Sequence, residues 1–298
     1  MEEIYELNIP NKNQTKKYTI TSAMRLNVFG KLIEMVETVN ASLTFISVNN
    51  HLNFYYKQTG YKRESNNEKF FTWAAIINSL LSEFQATCDN TGKITQVSIT
   101  NLDYKSYKIK EQLEANYKNN KHEIKELMNK IETFASDKKN IIKQLSKSGF
   151  HQVLFSGNYG KYTINQPEEE KRLIENLVND IDIPVLLEGT FQVDKNQSQY
   201  TLTKNGALDT DNFDKKSLTR WLKDMTDTYN LKVDCGADVE EIYVYDKEHW
   251  IKQADSYFSF LAANLYECSF AYQIIQDKEE KTPKPENNTG IHHSLILD

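Results

Sequence analysis

The sequence predicts an α+β fold of two tandem, internally duplicated units, each made of antiparallel β-hairpins with packed helices, with a helical insertion between them. Three observations predict it. KKYTIT (Lys16 to Thr21) returns as GKYTIN (Gly160 to Asn165). The classes of element that follow come in the same order in both halves. A gapless spacing of 145 positions, as from Trp73 to Leu218, then matches residue class with residue class. A duplication of this length implies two similar sheets related by a pseudo-twofold axis. The expected boundaries are 1–150 for the first unit, 151–277 for the second and 278–298 for a flexible tail.

After KYTI each half enters a helix-like segment, Lys31-Leu32-Ile33-Glu34 and Arg172-Leu173-Ile174-Glu175. Alternation in ASLTFISV (Ala41 to Val48) and NFYYKQ (Asn53 to Gln58) predicts a hairpin turned at Asn49-Asn50. LEGTFQV (Leu187 to Val193) and QYTLT (Gln199 to Thr203) predict its counterpart, turned at Asp194-Lys195-Asn196. Trp73, Ile76, Ile77, Leu80 and Phe84 repeat at three and four, as do Leu218, Trp221, Leu222, Met225 and Tyr229, so each half carries an amphipathic helix. Two further hairpins are expected, Phe84 to Ile99 and Tyr229 to Val244, turned at Asn90-Thr91-Gly92 and Cys235-Gly236-Ala237. The halves then differ. Tyr104 to Ser148 is a Lys/Glu-rich helical stretch, broken at Ser136-Asp137, where Asp137 suits a new N-cap. In Lys247 to Gln276 the apolar residues Trp250, Ala254, Tyr257, Phe258, Leu261, Leu265, Cys268, Tyr272 and Ile275 predict one long amphipathic helix. Periodicity ends at Asp277, and the tail closes on SLILD (Ser294 to Asp298). Predicted core positions are Trp73, Ile77, Leu80, Phe84, Val97, Leu222, Met225, Tyr229, Ile242 and Val244.

Hydrophobic residues at 39% and charged residues at 26% fall in the globular range, so the chain can bury a core without staples. A net charge of -6 gives no long-range attraction for phosphate backbones or anionic lipid. No nucleic-acid or membrane partner is expected. MEEIYELNIPNKNQ has neither the basic region nor the apolar run of a secretory signal, and with no apolar run near 18 residues the expectation is a soluble, cytoplasmic chain. Cys88, Cys235 and Cys268 form no CxxC pair, which points to reduced, mostly buried thiols.

No motif identifies a reaction. SGNYGKYT (Ser156 to Thr163) has the Gly-Lys of a phosphate loop but not its spacing, because Phe155 stands where a Gly is needed and Tyr162 where Ser or Thr is needed. A tight turn feeding a strand is the better reading. HEIKE at His122 lacks the second His of a zinc protease motif, and His292-His293 has no ligand framework around it. His151 and His249 follow and precede helix ends, with no nucleophile at a diagnostic spacing. Glu168, Glu169 and Glu170 follow Pro167, as acids do in the first turn of a helix. No cofactor or metal is expected.

The chain does carry 17 tyrosines, with runs around Tyr55-Tyr56, Tyr61, Tyr159, Tyr162 and Tyr243. Tyrosine favours protein contacts because it brings area and a polar tip at little rotamer cost, although strand propensity explains it equally. The sequence therefore points to a non-enzymatic protein-binding module of adaptor, immunity or secretion-loading type. Tyr55, Tyr56, Tyr159, Tyr162 and Tyr243 are its candidate partner-binding residues. The alternatives are an enzyme with its site in the cleft between the units, and a structural subunit that uses Tyr104 to Ser148 as its contact.

Overall fold

In the computed structural model, which describes residues 3–10, 13–48, 51–116, 121–147, 149–178, 181–227 and 231–278, the chain builds one large sheet. Its elements are β1 (Ile4–Leu7), β2 (Gln14–Val28), β3 (Lys31–Val48), β4 (His51–Ser65), α1 (Thr72–Leu80), β5 (Glu83–Cys88) and β6 (Ile94–Ile99). A helical block follows: α2 (Leu102–Asn116), α3 (Lys121–Ser136), α4 (Lys138–Lys147) and α5 (His151–Leu154). The rest is β7 (Gly160–Thr163), β8 (Pro167–Val178), β9 (Ile181–Asp194), β10 (Gln199–Leu208), α6 (Lys215–Thr226), β11 (Cys235–Tyr245), β12 (Ile251–Ala262) and β13 (Tyr266–Gln276).

Eleven strands pair antiparallel in the order β6-β5-β4-β3-β2-β13-β12-β11-β10-β9-β8, and β1 pairs with β7 in a separate two-stranded sheet. This overturns the expectation of α+β units with a sheet each. The protein is mostly antiparallel β, and β2 pairs with β13 along eleven residues, from Val28↔Tyr266 to Tyr18↔Gln276. Both halves do run through three strands, a helix and further strands, but as consecutive stretches of the same sheet. The KYTI copies are not equivalent. Lys17–Ile20 lies in long β2, whereas Lys161–Ile164 begins in four-residue β7.

Several predicted helices are strands. Lys31–Glu34 opens β3, and Glu168–Glu170 with Arg172–Glu175 belongs to β8. The long helix expected over Lys247–Gln276 is the β12–β13 hairpin, turned by Ala263 and Asn264 with φ of 51° and 54°. Its three-four spacing was incidental. Positions 254, 256, 258, 260 and 262 face inward at period two, while Tyr257 and Leu261 face out. Tyr229 lies outside the described residues, and Cys235-Gly236-Ala237, expected as a hairpin turn, opens the single strand β11. The helical block between the halves is present, and Asp137 accepts from the N–H groups of Lys139 and Asn140 at the start of α4. The tail beyond Lys278 lies outside the described residues.

Every apolar residue that the large sheet gives to the core projects from one face, here called the inner face. Two clusters form on it. The first joins Tyr18, Ile20, Val39, Phe45 and Phe54 to α1–α5; the second joins Leu26, Ile183, Val239 and Phe260 to Leu218 and Leu222 of α6. Ile77, Leu80, Phe84, Val97 and Leu222 are core as expected. Trp73 (37% exposed), Met225 (56%) and Ile242 (43%) are not, and Val244 shares the outer face of β11 with Ile242. The sheet also curls. Helix α4 packs on β6 while its Lys143 Nζ reaches Glu175 Oε2 of β8 at 2.5 Å, so α4 spans from one edge strand to the other.

Candidate functional site

Between the two apolar clusters the inner face carries a polar row. Lys204 (β10), Glu241 (β11), Ser256 (β12), Tyr272 (β13), Ser22 (β2), Glu37 (β3) and Arg63 (β4) are successive register partners across seven adjacent strands. Four of them interrupt an apolar alternation: Ser22 between Ile20 and Met24, Glu37 between Met35 and Val39, Glu241 between Val239 and Tyr243, and Ser256 between Ala254 and Phe258. Paired residues of antiparallel strands share a face, so the register alone aligns them.

At the β8 end the row becomes an ion cluster. Arg172 Nη1 and Nη2 donate to Glu241 Oε1 and Oε2 at 2.6 and 3.2 Å, and Arg172 also meets Glu170 Oε1 at 3.2 Å. Lys204 Nζ donates to Glu170 Oε2 at 2.6 Å and to Asn158 Oδ1 at 2.9 Å. Lys204 and Glu170 lie two strands apart, and Gly189, the β9 partner of Lys204, puts no side chain between them. Burial pushes the Glu170 carboxyl up, but Arg172 and Lys204 together hold it below the ordinary carboxylate value. Burial pushes the Tyr243 phenol up, and the Glu241 carboxylate beside it adds to that. Two cations face two carboxylates, so the cluster is neutral.

The middle of the row is less saturated. Ser22 Oγ is buried without a hydrogen-bond partner. Tyr61, 40% exposed on this face, donates to Glu37 Oε1 at 2.6 Å. Arg63 holds Glu68 at 2.5 Å and the Phe71 carbonyl at 3.1 Å. Beside the row, Met24, Ile33 and Phe270 are half-buried against the second cluster. These residues lie side by side on the inner face, polar beside apolar, between the stretch packed against α1–α5 and the stretch packed against α6.

A concavity of about 650 Å³ opens at the β1 end, lined in part by Glu6, Asn8, Gln14, Glu248 and His249. His249 Nδ1 accepts from the Asn8 N–H at 2.9 Å and Nε2 lies 3.1 Å from the Tyr5 hydroxyl. Both ring nitrogens are occupied in tying β1 to the β11–β12 turn. His151 is buried among Tyr56, Phe84 and Phe150, and burial pushes its imidazole down to about 3. Among the described residues no His/Cys/Asp/Glu group could hold a metal ion. Cys88 and Cys268 are buried free thiols, each raised to about 12 by that burial. Ser156–Thr163 is the turn feeding β7; at Gly157, with φ of 76°, a Cβ would lie 2.4 Å from the Lys93 side chain.

The five candidate tyrosines are not an exposed set. Tyr56 and Tyr243 are buried, which corrects their reading as surface anchors, since a partner cannot reach a ring already packed in the core. Tyr55 donates to Glu83, Tyr159 to the His249 carbonyl at 3.3 Å, and Tyr162 to the Asn158 carbonyl at 2.5 Å. Strand propensity and core packing account for them. Tyr159, Tyr162 and Tyr243 nevertheless gather near the ion cluster, while the accessible ring on the inner face is Tyr61.

No protein-family model matches the chain, and no curated protein does. Among solved structures it is similar to lipovitellin, in a structure of lipid–protein interactions, at 8% identity and a TM-score of 0.40 over 91% of this chain and 26% of that one. The chain thus spans about a quarter of that protein's length. It is also similar to DynF of the dynemicin biosynthesis pathway of Micromonospora chersina, at 8% identity and TM-score 0.19, over 92% and 84% of the two chains. A porin-like protein from Bacteroides uniformis gives 6% identity and TM-score 0.13, over 86% and 96%. At these scores the likenesses carry no argument about the site. Among the described residues no helix is long and apolar enough to cross a membrane.

Proposed function

We propose that this protein is a non-enzymatic binding module that receives a polypeptide segment of a protein partner along the polar row of its inner face. The observation that supports the reading is the aligned polar row beside half-buried apolar residues. A core needs no such row. Polar groups there cost free energy unless paired, and an all-apolar inner face would pack as well. A peptide bound alongside presents backbone N–H groups to Glu37, carbonyls to Arg63, and apolar side chains to Met24, Ile33 and Phe270. Tyr61, at the rim, is the anchor that this geometry favours, because it is accessible, rigid and already oriented by Glu37.

The test is capture from the native host, identification of the partner, and titration of the purified pair. Tyr61→Ala should weaken binding by about 2 kcal/mol, roughly thirtyfold, while Tyr257→Ala on the outer face should leave it unchanged. Equal affinity for the Tyr61 variant, or a loss at Tyr257 instead, would move the site off the inner face.

A further inference from the structure

We propose that edge strand β8 pairs antiparallel with β8 of a second copy of this chain, centred on Glu170, so that two sheets continue into one another. This goes beyond the binding role of the inner face. Of the two edge strands, β6 has six residues and α4 packed against it, whereas β8 has twelve, meets α4 through the Lys143–Glu175 ion pair outside the stretch 167–173, and among the described residues pairs with no strand on its far side. Pro167, Glu168, Glu169, Lys171 and Leu173 of β8 are all exposed. An open edge of that length is a template for strand addition unless its side chains forbid it.

Its side chains forbid most partners but match a second β8. In a twofold pairing about Glu170, Glu169 stands opposite the partner's Lys171 on the outer face, and Lys171 opposite the partner's Glu169. On the inner face Glu168 stands opposite the partner's Arg172, and exposed Leu173 meets the partner's Pro167. Opposite charges directly across an antiparallel pair are favourable and like charges are not. The one like pair, Glu170 with its own copy, involves carboxylates that Lys204 and Arg172 already compensate within each chain. A strand edge carrying a single sign of charge would have repelled its own copy; this one changes sign across its centre, from Glu168-Glu169 to Lys171-Arg172. The interface is one strand wide, so a weak, concentration-dependent dimer is the expected form.

The experiment is sedimentation of the full chain over a concentration series up to about 1 mM, where even weak pairing registers. The proposal expects a monomer–dimer equilibrium. Glu169→Lys and Lys171→Glu should each weaken it about tenfold or more, because each turns two attractive pairs into repulsive ones. The double variant should restore it, and an equimolar mixture of the two single variants should form a mixed dimer, since each then supplies what the other lacks. Both substitutions sit on an exposed outer face, and circular dichroism checks that the fold is kept. A wild-type monomer throughout, a dimer indifferent to both substitutions, or no rescue in the mixture would overturn the proposal.

Discussion

Lys204 is a cation among apolar neighbours, and its tolerance depends on one missing side chain, at Gly189. Removing one partner of the ion cluster is more disruptive than removing a pair. Arg172→Met leaves the Glu241 carboxylate, 6% exposed, with the Tyr243 hydroxyl as its remaining contact, and should destabilise the fold by about 3 kcal/mol in urea unfolding. Adding Glu241→Met should recover most of that loss; a double variant as unstable as the single would mean that the cluster holds the fold by geometry alone. His151 makes a second prediction. Its folded value near 3 lies below its ordinary 6.5, so below pH 6.5 the unfolded chain takes up a proton that the folded chain refuses. Its contribution to stability is intact above pH 6.5, declines as pH falls towards 3, and is flat below that. His151→Leu should therefore show a shallower loss of stability between pH 6.5 and 4 than the wild type, and parallel curves would contradict its burial. At this scale the sequence was only partly legible. Ser22, Glu37, Glu241 and Ser256 are each visible as a polar residue inside an apolar alternation, but nothing in one strand says that the next strand's interruption stands opposite. Register supplies that, and register is a property of pairs.

At the scale of elements, alternation was read well where it stood alone and poorly where two periods fitted the same residues. The hairpins β3–β4, β9–β10 and β5–β6 follow from period-two runs around short polar turns, and α1, α4 and α6 from three-four spacing, with Asp137 and Asp214 capping α4 and α6. Lys247–Gln276 satisfied a helical stripe as well as an alternation, and its tyrosines and phenylalanines, favoured in strands, should have decided for the sheet. The Ala263-Asn264 turn is a weaker signal than Asn-Gly, so the sequence does not mark the break between β12 and β13. Glu168–Glu170 after Pro167 resembled a helix start because acids suit both a helix N-terminus and the outer edge of a sheet. One element carries a direct test. Asp214 accepts from the Ser217 N–H and caps α6, so Asp214→Ala should cost about 1 kcal/mol of stability. A neutral result would show that Leu218 and Leu222 alone fix the helix.

For the whole molecule, the expected duplication survives only as a repeated order of elements. The halves share one sheet through β2 and β13, and the helical block is a cover that joins its edges. Fragments 1–150 and 151–277 produced separately should therefore fail to fold, because each would expose a long central strand as an edge. Two well-dispersed, cooperatively unfolding fragments would restore the view of independent units. The function proposed here depends on which face of this sheet meets a partner, and site-specific photo-crosslinking measures that most directly. With benzoyl-phenylalanine placed in turn at Tyr61 and Phe270 on the inner face, and at Asn205 and Tyr257 on the outer face, exposure of native-host extract to light should yield one crosslinked protein from the two inner positions alone. The same product from Asn205 or Tyr257, with none from Tyr61 or Phe270, would contradict the account.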